Sequence, residues 1–492
     1  MRLRRRDVVA TFVAAFALAA GPAQGLFEDH RAHLHKADAP RSEVARLAAA
    51  SAPDGRLSDV PCEDGMADVF ACDGIDLKSF VPLSEMFDAN TDALAGGGLS
   101  DIWGWTDPET GDEYVLFGKT NGTAIYRITD PTDPAYLGEL PNSGAQLIWH
   151  DIKIDDHWAF IVSESPGHGV KVFDLHQLRG LEETTAPSPL LYSSAYPVDG
   201  TAHNVVVEPG TDMMYVVGSG QVLGVGGACT SESVSTDNAG LHAIDVSNPM
   251  TPVYAGCYAG DGYIHDAHCA VYEGPDTEHE GRTICVTSNE DSVSVVDMTD
   301  PADGQLLSRT AADEYDRVSY SHQGWMSEDQ RFYFHGDELD EQDHGLTTRT
   351  FVFDIRDLDD IAFHFVKDHG STNIDHNMYT HRGLLFQSNY TAGLEVQDTA
   401  RVAEGELPRV AFFDTYPEET SEPIFAGTWS NYPYFPSGTI AVTGIGEGLF
   451  LLQLQDHVVS DGTGGGPPDD RPGKGKGRDN GGGKGNGPKR TT

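Results

Sequence analysis

The chain has 492 residues, with 77 acidic against 32 basic side chains and a net charge of −45 at pH 7. This charge argues against binding to nucleic acid or to an anionic membrane surface, because phosphate contacts need a basic face. Length does not fix the number of domains, since all-β barrels and propellers often exceed the usual domain size.

Residues 1–25 have the pattern of an export signal peptide. A basic stretch precedes an apolar run from Val8 to Ala20 and a small-residue cleavage site at residues 23–25. The apolar run is shorter than the roughly 20 residues that span a bilayer, and no later segment replaces it. We therefore expect a secreted protein, located extracellularly, at the cell surface or in the periplasm, with no transmembrane segment after signal removal.

Six cysteines in an exported chain indicate disulfide bonds. A zinc site is the alternative, but the sequence has no Cys-x-x-Cys pair to support it. The predicted disulfides are Cys62–Cys72, which are close in sequence, Cys269–Cys285, which fall on neighbouring strands of one repeat, and, by elimination, Cys229–Cys257.

A repeated pattern of β-strands organises most of the chain. Each copy opens with a strand that starts with Ser or His and ends with an apolar strand, which in six of the seven copies runs into an acidic turn, as in residues 241–245. The spacing is near the 40 to 50 residues of known propeller repeats. This predicts an all-β, seven-bladed β-propeller with four antiparallel strands per blade. The openings are Ser100, His150, His203, His268, His322, His376 and Ser430.

The seventh copy lacks a fourth strand, and a similar strand, residues 75–83, precedes the first copy. Pairing it with the last blade closes the ring and removes two exposed sheet edges. We therefore predict a propeller over residues 61–456. A mobile N-terminal segment, residues 26–60, precedes it, and a disordered Gly/Pro/Lys-rich tail, residues 457–492, follows it.

The repeats resemble the LVIVD repeat, and residues 60–455 resemble the bacterial choice-of-anchor B family. The resembling stretches include residues 61–67 (PCEDGMA), 262–269 (GYIHDAHC), 322–330 (HQGWMSEDQ) and 429–438 (WSNYPYFPSG). The resemblance implies a surface-associated propeller of unsettled function, whose relatives carry differing C-terminal anchors. This chain departs from that pattern, because its tail contains no apolar helix.

In a propeller the first strand of each blade lines the central channel, so the strand openings should form a ring at the channel mouth. Imidazoles and carboxylates on one axis are what zinc, iron or another transition metal binds, and an open coordination position activates water. The alternative is structural: each histidine hydrogen-bonds the neighbouring blade. His265 is a further candidate ligand. The candidate metal ligands are His150, His203, His268, His322 and His376, with Glu164, Glu290 and Asp337 from loops on the same face.

Two further features have open interpretations. The acidic segment from Asp337 to Asp343 has enough oxygens for calcium, although it lacks the EF-hand spacing and is also typical of a solvated loop. Five tryptophans beside the inner strands are expected to pack between blades, or to stack on a ligand. They are Trp103, Trp105, Trp149, Trp325 and Trp429.

The leading functional hypothesis is a non-catalytic binding scaffold whose channel-mouth face takes a peptide, glycan or protein ligand. A metal-dependent hydrolase or oxidoreductase that uses the histidine ring is one alternative, and a calcium-stabilised adhesion module is another. No residue is assigned a catalytic role from the sequence, because fold does not imply function.

Overall fold

The computed structural model describes residues 52–87, 97–184, 189–197, 201–208, 210–218, 240–311, 315, 318–418, 420 and 422–460. The predicted signal peptide, most of the predicted mobile segment and nearly all of the predicted tail lie outside these residues. The described residues form seven antiparallel sheets, the blades of a β-propeller, as the repeats predict.

Each blade contains four antiparallel strands in order from the channel outward. Blade 1 consists of Leu99–Thr106, Glu113–Lys119, Gly122–Arg127 and Ala135–Pro141; blade 2 of His150–Asp155, Trp158–Ser163, Val170–Asp174 and Ser194–Tyr196. Blade 3 consists of Asn204–Glu208, Met213–Val217, Leu241–Asp245 and Val253–Tyr258; blade 4 of Asp266–Val271, Thr283–Ser288, Ser292–Asp297 and Gln305–Ala311.

Blade 5 consists of Ser321–Met326, Phe332–Asp337, Arg349–Asp354 and Ala362–Asp368, and blade 6 of Met378–His381, Leu384–Ser388, Leu394–Asp398 and Arg409–Phe413. Blade 7 contains Thr428–Tyr432, Thr439–Gly444, Gly448–Leu454 and, from the N-terminal side of the ring, Ile75–Pro82. The described helices are short: 3₁₀ turns at Leu83–Glu85, Leu175–Leu178, Pro301–Asp303 and Val402–Glu404, and α-helices at Asp340–His344 and Asp456–Ser460.

The hydrophobic core lies between blades. Apolar side chains of one sheet pack on the facing side of the next, as Phe160 and Val172 of blade 2 do with Val205 and Met214 of blade 3. A separate apolar cluster joins each pair of neighbouring blades, including blades 6 and 7 and blades 7 and 1. Every blade is therefore stabilised on both faces, and strands in the middle of the blades, such as Thr283–Ser288 and Phe332–Asp337, are buried along their whole length.

The ring is closed by backbone pairing between its two ends. Ile75–Pro82 runs antiparallel to Gly448–Leu454, with Phe80 opposite Phe450, and the inner strand of blade 7 contacts that of blade 1. At the start of this pairing Gly448 has φ +143°, and a Cβ there would lie 2.1 Å from the Val81 carbonyl oxygen. The predicted closure is confirmed, and it needs glycine where the two strands meet.

The same N-terminal segment also covers the outer edges of two blades. Leu57–Val60 pairs with the outer side of Ile75–Pro82, and Phe70–Asp73 pairs with Arg409–Phe413 of blade 6. These contacts begin before residue 61, the boundary expected from the sequence, and the helix Asp456–Ser460 extends past residue 456. Unpaired edge strands invite aggregation, so this covering protects the two outer edges.

Two predicted disulfides, Cys62–Cys72 and Cys269–Cys285, are confirmed. The first ties the segment that covers blades 6 and 7, and the second joins the first two strands of blade 4. Cys257 is also disulfide-bonded, and its predicted partner Cys229 lies outside the described residues. In the ranges that the structure describes, no helix is long and apolar enough to cross a membrane.

We predict that Phe80→Ala lowers the free energy of unfolding by about 3–5 kcal/mol, because Phe80 is fully buried against Phe450 and Phe70 at the closure. Denaturant unfolding followed by fluorescence measures the loss. The matched control is Val69→Ala in the same segment, where the side chain is 42% exposed and little change is expected. Equal midpoints for the two variants would show that the closing strand does not hold the ring.

Candidate functional site

Most of the predicted histidine ring lines one small pocket at the channel mouth. Each of these side chains stands at or next to the start of an inner strand, so strands that converge on the axis bring their first residues together. Four of the five predicted histidines are among the lining residues. The lining consists of Trp149, His150, His203, Asn204, His265, His322, His376, Asn377 and Trp429.

The prediction for His268 is wrong, and His265 occupies the position in the ring that was assigned to it. The inner strand of blade 4 begins at Asp266, so the pair His265-Asp266 corresponds to His150-Asp151 in blade 2. His268 lies further along the strand, where it stacks on Trp325 at 3.7 Å and accepts a hydrogen bond from the Met326 amide. The His-Asp pair is a sequence signal that could have identified His265, but the sequence analysis did not use it.

Four imidazoles from blades 3 to 6 lie side by side around the mouth. Their ring centroids are separated by 4.5 Å between His203 and His265, 4.2 Å between His265 and His322, and 4.6 Å between His322 and His376. Consecutive blades place equivalent residues next to one another, and the row follows directly from the repeat.

One nitrogen of these rings has a structural role. Nδ1 of His265 donates to the carbonyl of His322 at 2.9 Å, and Nδ1 of His376 donates to the carbonyl of Trp429 at 2.5 Å, so both bonds join neighbouring blades. Nδ1 of His150 donates to the carbonyl of Ile148 at 3.2 Å. Since a carbonyl only accepts, each of these rings carries its proton on Nδ1, and the lone pair is on Nε2. The hydrogen bonds to carbonyls thus give Nδ1 a structural role, and Nε2 is the nitrogen that could bind a metal.

Glu338 is the carboxylate that lies near both His322 and His376, and the sequence analysis chose its neighbour Asp337 instead. Nε2 of His322 lies 3.7 Å from its Oε2, and Nε2 of His376 lies 3.7 Å from its Oε1. Its predicted neighbour Asp337 instead accepts hydrogen bonds from the backbone amides of Ser319 and Tyr320, both at 2.7 Å. Asp337 thus bonds to the backbone while Glu338 lies near the histidines, because successive side chains of an extended chain point to opposite sides.

The predicted Glu164 and Glu290 also lie at the mouth. Burial lowers the pKa of His203, but the hydrogen bond to Nδ1 and the charge of Glu164, 2.6 Å away, outweigh burial and raise that pKa above its ordinary value. Burial, followed by the nearby Tyr263 and the charges of Glu290, Glu338 and Glu164, raises the pKa of Tyr320 well above its ordinary value. The charges of three glutamates therefore act on the Tyr320 hydroxyl.

His322, one of the two histidines near Glu338, is in the neutral form that binds metals. Burial, and then the neighbouring His265, His376 and His203, lower the pKa of His322 well below its ordinary value. Burial likewise lowers the pKa of His150 to about 4. Nδ1 of His322 is buried and has no hydrogen-bond partner.

His322, Glu338 and His376 together have the geometry of a three-ligand metal site. One ligand atom from each lies within 4.8 Å of the other two, and all three residues are buried. Tetrahedral zinc with ligands at 2.0–2.1 Å needs donor atoms roughly 3.4 Å apart, close to the 3.7 Å between each imidazole and Glu338.

Aromatic and charged side chains fill the channel beyond the histidines. Trp103 of blade 1 contacts Trp325 of blade 5 and Tyr379 of blade 6, at 6.4 and 5.6 Å between ring centroids. Lys153 lies 4.7 Å over Trp103 and 2.5 Å from Asp151. These side chains close the channel beyond the histidines, so the mouth is a pocket that is closed at its inner end. Trp149 and Trp429 line this pocket, whereas Trp105 packs on Tyr114.

No protein-family model and no curated protein matches this chain. Among solved structures, it is similar to a protein of unknown function from Desulfotomaculum acetoxidans, with 12% identity, a TM-score of 0.42, and coverage of 63% of this chain and 85% of that one. It is similar to the β-propeller domain of Cps50 (Swd1) from Myceliophteria thermophila, with 9% identity, a TM-score of 0.43, and coverage of 70% and 93%. A protein from Lactobacillus plantarum has 13% identity, a TM-score of 0.45, and coverage of 67% and 88%.

These similarities concern the fold alone. The seven four-stranded sheets of the structure themselves define the chain as a seven-bladed β-propeller.

We predict that His268→Gln makes stability less dependent on pH. Burial lowers the pKa of His268 to about 3, so the folded protein keeps it neutral, whereas the unfolded chain takes up a proton below about pH 6.5. The stability due to neutral His268 is therefore lost as the pH falls below 6.5. Between pH 6.5 and 4, the free energy of unfolding should fall less steeply with decreasing pH in the variant than in the wild type. The two slopes should differ by up to about 1.4 kcal/mol per pH unit. Urea titrations across this range measure both slopes, and parallel curves would contradict the assignment.

Proposed function

We propose that this protein is a ligand-binding propeller whose channel mouth holds a transition-metal ion of the zinc type, bound by His322, His376 and Glu338. The observation that carries the proposal is the convergence of two imidazole Nε2 atoms and one carboxylate, with the 3.7 Å separations given above.

The environment of these three residues supports a metal site. Metal-binding histidines usually donate their second N–H to a carbonyl or carboxylate, as His376 does to Trp429. Glu338 is held by the Tyr390 hydroxyl, which donates to Oε1 at 2.6 Å. Such supporting hydrogen bonds fix the orientation of the ligands before the ion arrives, which lowers the entropic cost of binding.

Three protein ligands leave a fourth position open, as in zinc sites that exchange water or substrate and unlike closed structural sites. The site borders the small pocket that Trp149 and Trp429 help to line. A divalent ion with one carboxylate ligand keeps a positive charge, so the open position favours an oxygen donor such as a carboxylate or carbonyl. We expect the ligand to be a peptide or glycan that presents such an oxygen to the ion from outside the channel mouth, with an apolar part against the tryptophans.

A metal-dependent hydrolase is a second candidate, and the buried Tyr320 favours it. Its hydroxyl has no hydrogen-bond partner, and Glu164 and Glu290 lie close enough to raise its pKa, after burial itself. A metal-bound water with carboxylates and a phenol nearby has the groups needed for general acid–base catalysis.

We also propose that the protein is exported to the extracellular space, the cell surface or the periplasm. We further propose that it is related to the choice-of-anchor B proteins with LVIVD repeats. The two disulfides support export, because such bonds persist in oxidising compartments.

We expect the purified chain, reconstituted with zinc and dialysed, to retain about one zinc ion at the channel mouth, as measured by elemental analysis. The double variant His322→Ala, His376→Ala should lose it, because two of three protein ligands are removed. His268→Gln is the matched control: this histidine is also on an inner strand but stacks on Trp325, so the variant should leave zinc content unchanged. A wild-type chain without zinc, or a double variant that keeps it, would contradict the site.

Cobalt substitution tests the open position. In the Co²⁺-loaded protein, added acetate should change the visible absorption spectrum, because an oxygen donor that enters the open position alters the coordination of the ion. An unchanged spectrum would mean that the coordination is closed and the ion structural. Zinc-dependent cleavage of nitrophenyl esters, lost in Tyr320→Phe with zinc retained, would favour the hydrolase over the binding protein.

A further inference from the structure

A second group of buried carboxylates lies between blades 5 and 6. Asp340 and Glu341 stand on the short helix Asp340–His344, which follows the second strand of blade 5, and Asp375 precedes the first strand of blade 6. Their exposed fractions are 0%, 2% and 0%. Charged groups are almost never this deeply buried unless they are paired or bind a metal.

Most of the oxygens in this group have no hydrogen-bond partner. Arg349 donates to Oδ2 of Asp340, with Nε at 2.7 Å. The other Asp340 oxygen, both oxygens of Glu341 and both oxygens of Asp375 are buried and unpartnered. Five such atoms in one place are exceptional, because nearly all buried polar groups in native proteins have partners.

The arrangement has the dimensions of a cation site. One oxygen from each carboxylate lies within 4.8 Å of those of the other two, and this limit is about twice the 2.3–2.6 Å of a Ca²⁺–oxygen bond. Gly336 leaves room for the group, since a Cβ there would lie 2.1 Å from Oδ2 of Asp375.

Charge and donor type identify the ion. Three ionised carboxylates and Arg349 sum to −2, which one divalent cation balances. The donors are all carboxylate oxygens, which suit a hard cation, and five of them approach the 6 to 8 that Ca²⁺ takes, with water completing the shell. Mg²⁺ fits less well, because it keeps several waters in strict octahedral geometry.

We propose that Asp340, Glu341 and Asp375 form a Ca²⁺ site that joins blade 5 to blade 6. The sequence suggested calcium for the segment from Asp337 to Asp343, but the structure changes the ligands. Asp337 accepts two backbone amides, Asp343 is exposed, and Asp375 enters from 32 residues further along the chain. This site uses different residues from the histidine site and does not depend on it.

The test is thermal unfolding and equilibrium dialysis of the full chain with Ca²⁺, with Mg²⁺ and with EDTA. We expect about one Ca²⁺ per chain and a melting temperature that rises with Ca²⁺ concentration, since a ligand that binds only the folded state stabilises it by mass action. Asp375→Asn should abolish both effects. Without calcium it should melt no lower than the wild type, because it removes one of three repelling charges, and this separates lost binding from failed folding.

Asp343→Asn is the matched control, because Asp343 is on the same helix but exposed and outside the group. It should keep both the calcium content and the rise in melting temperature, as should the His322→Ala, His376→Ala variant. No calcium binding by the wild type, or binding that persists in Asp375→Asn, would overturn the proposal. The first result would mean that the carboxyl groups share protons instead of an ion.

Discussion

The pairing of Ile75–Pro82 with Gly448–Leu454 is the constraint on which the rest of the structure depends. If the two ends of the ring did not pair, they would expose sheet edges, and nothing would hold the seven inner strands around one axis. Once the ends pair, each blade has a neighbour on both sides and an apolar cluster at every junction. The channel mouth exists only because the ring is closed, so the stability of the closure and the geometry of the site are coupled.

The inner strands are held together by polar as well as apolar contacts. Asp151 of blade 2 accepts the Val205 amide of blade 3 at 2.8 Å, and the side chain of Gln323 in blade 5 binds both the amide and the carbonyl of Met378 in blade 6. These residues directly follow the ring histidines, so the same strand openings supply bonds between blades and groups that face the cavity. Such buried networks fix side-chain orientation when every member is satisfied.

The two proposed metal sites differ in the chemistry of their ligands. The channel mouth combines imidazoles with one glutamate, which suits zinc and similar ions, whereas the second group contains only carboxylates and suits calcium. Both draw on the short stretch after the second strand of blade 5, where Glu338 faces the histidines and Asp340 and Glu341 face Asp375. A calcium ion there would hold the segment that carries Glu338, so the structural site would support the ligand-binding one.

The repeats in the sequence determined the architecture, because strand alternation and turn residues are local properties that recur about every 50 residues. The absence of a fourth strand in the seventh copy likewise predicted how the ring closes. The choice of His265 over His268, and of Glu338 over Asp337, was decided by the tertiary structure, since a shift of a few residues along a strand changes which side chain reaches the axis. The sequence alone also did not indicate Asp375 as a member of this group, because its contact with Asp340 and Glu341 arises only where two blades pack together.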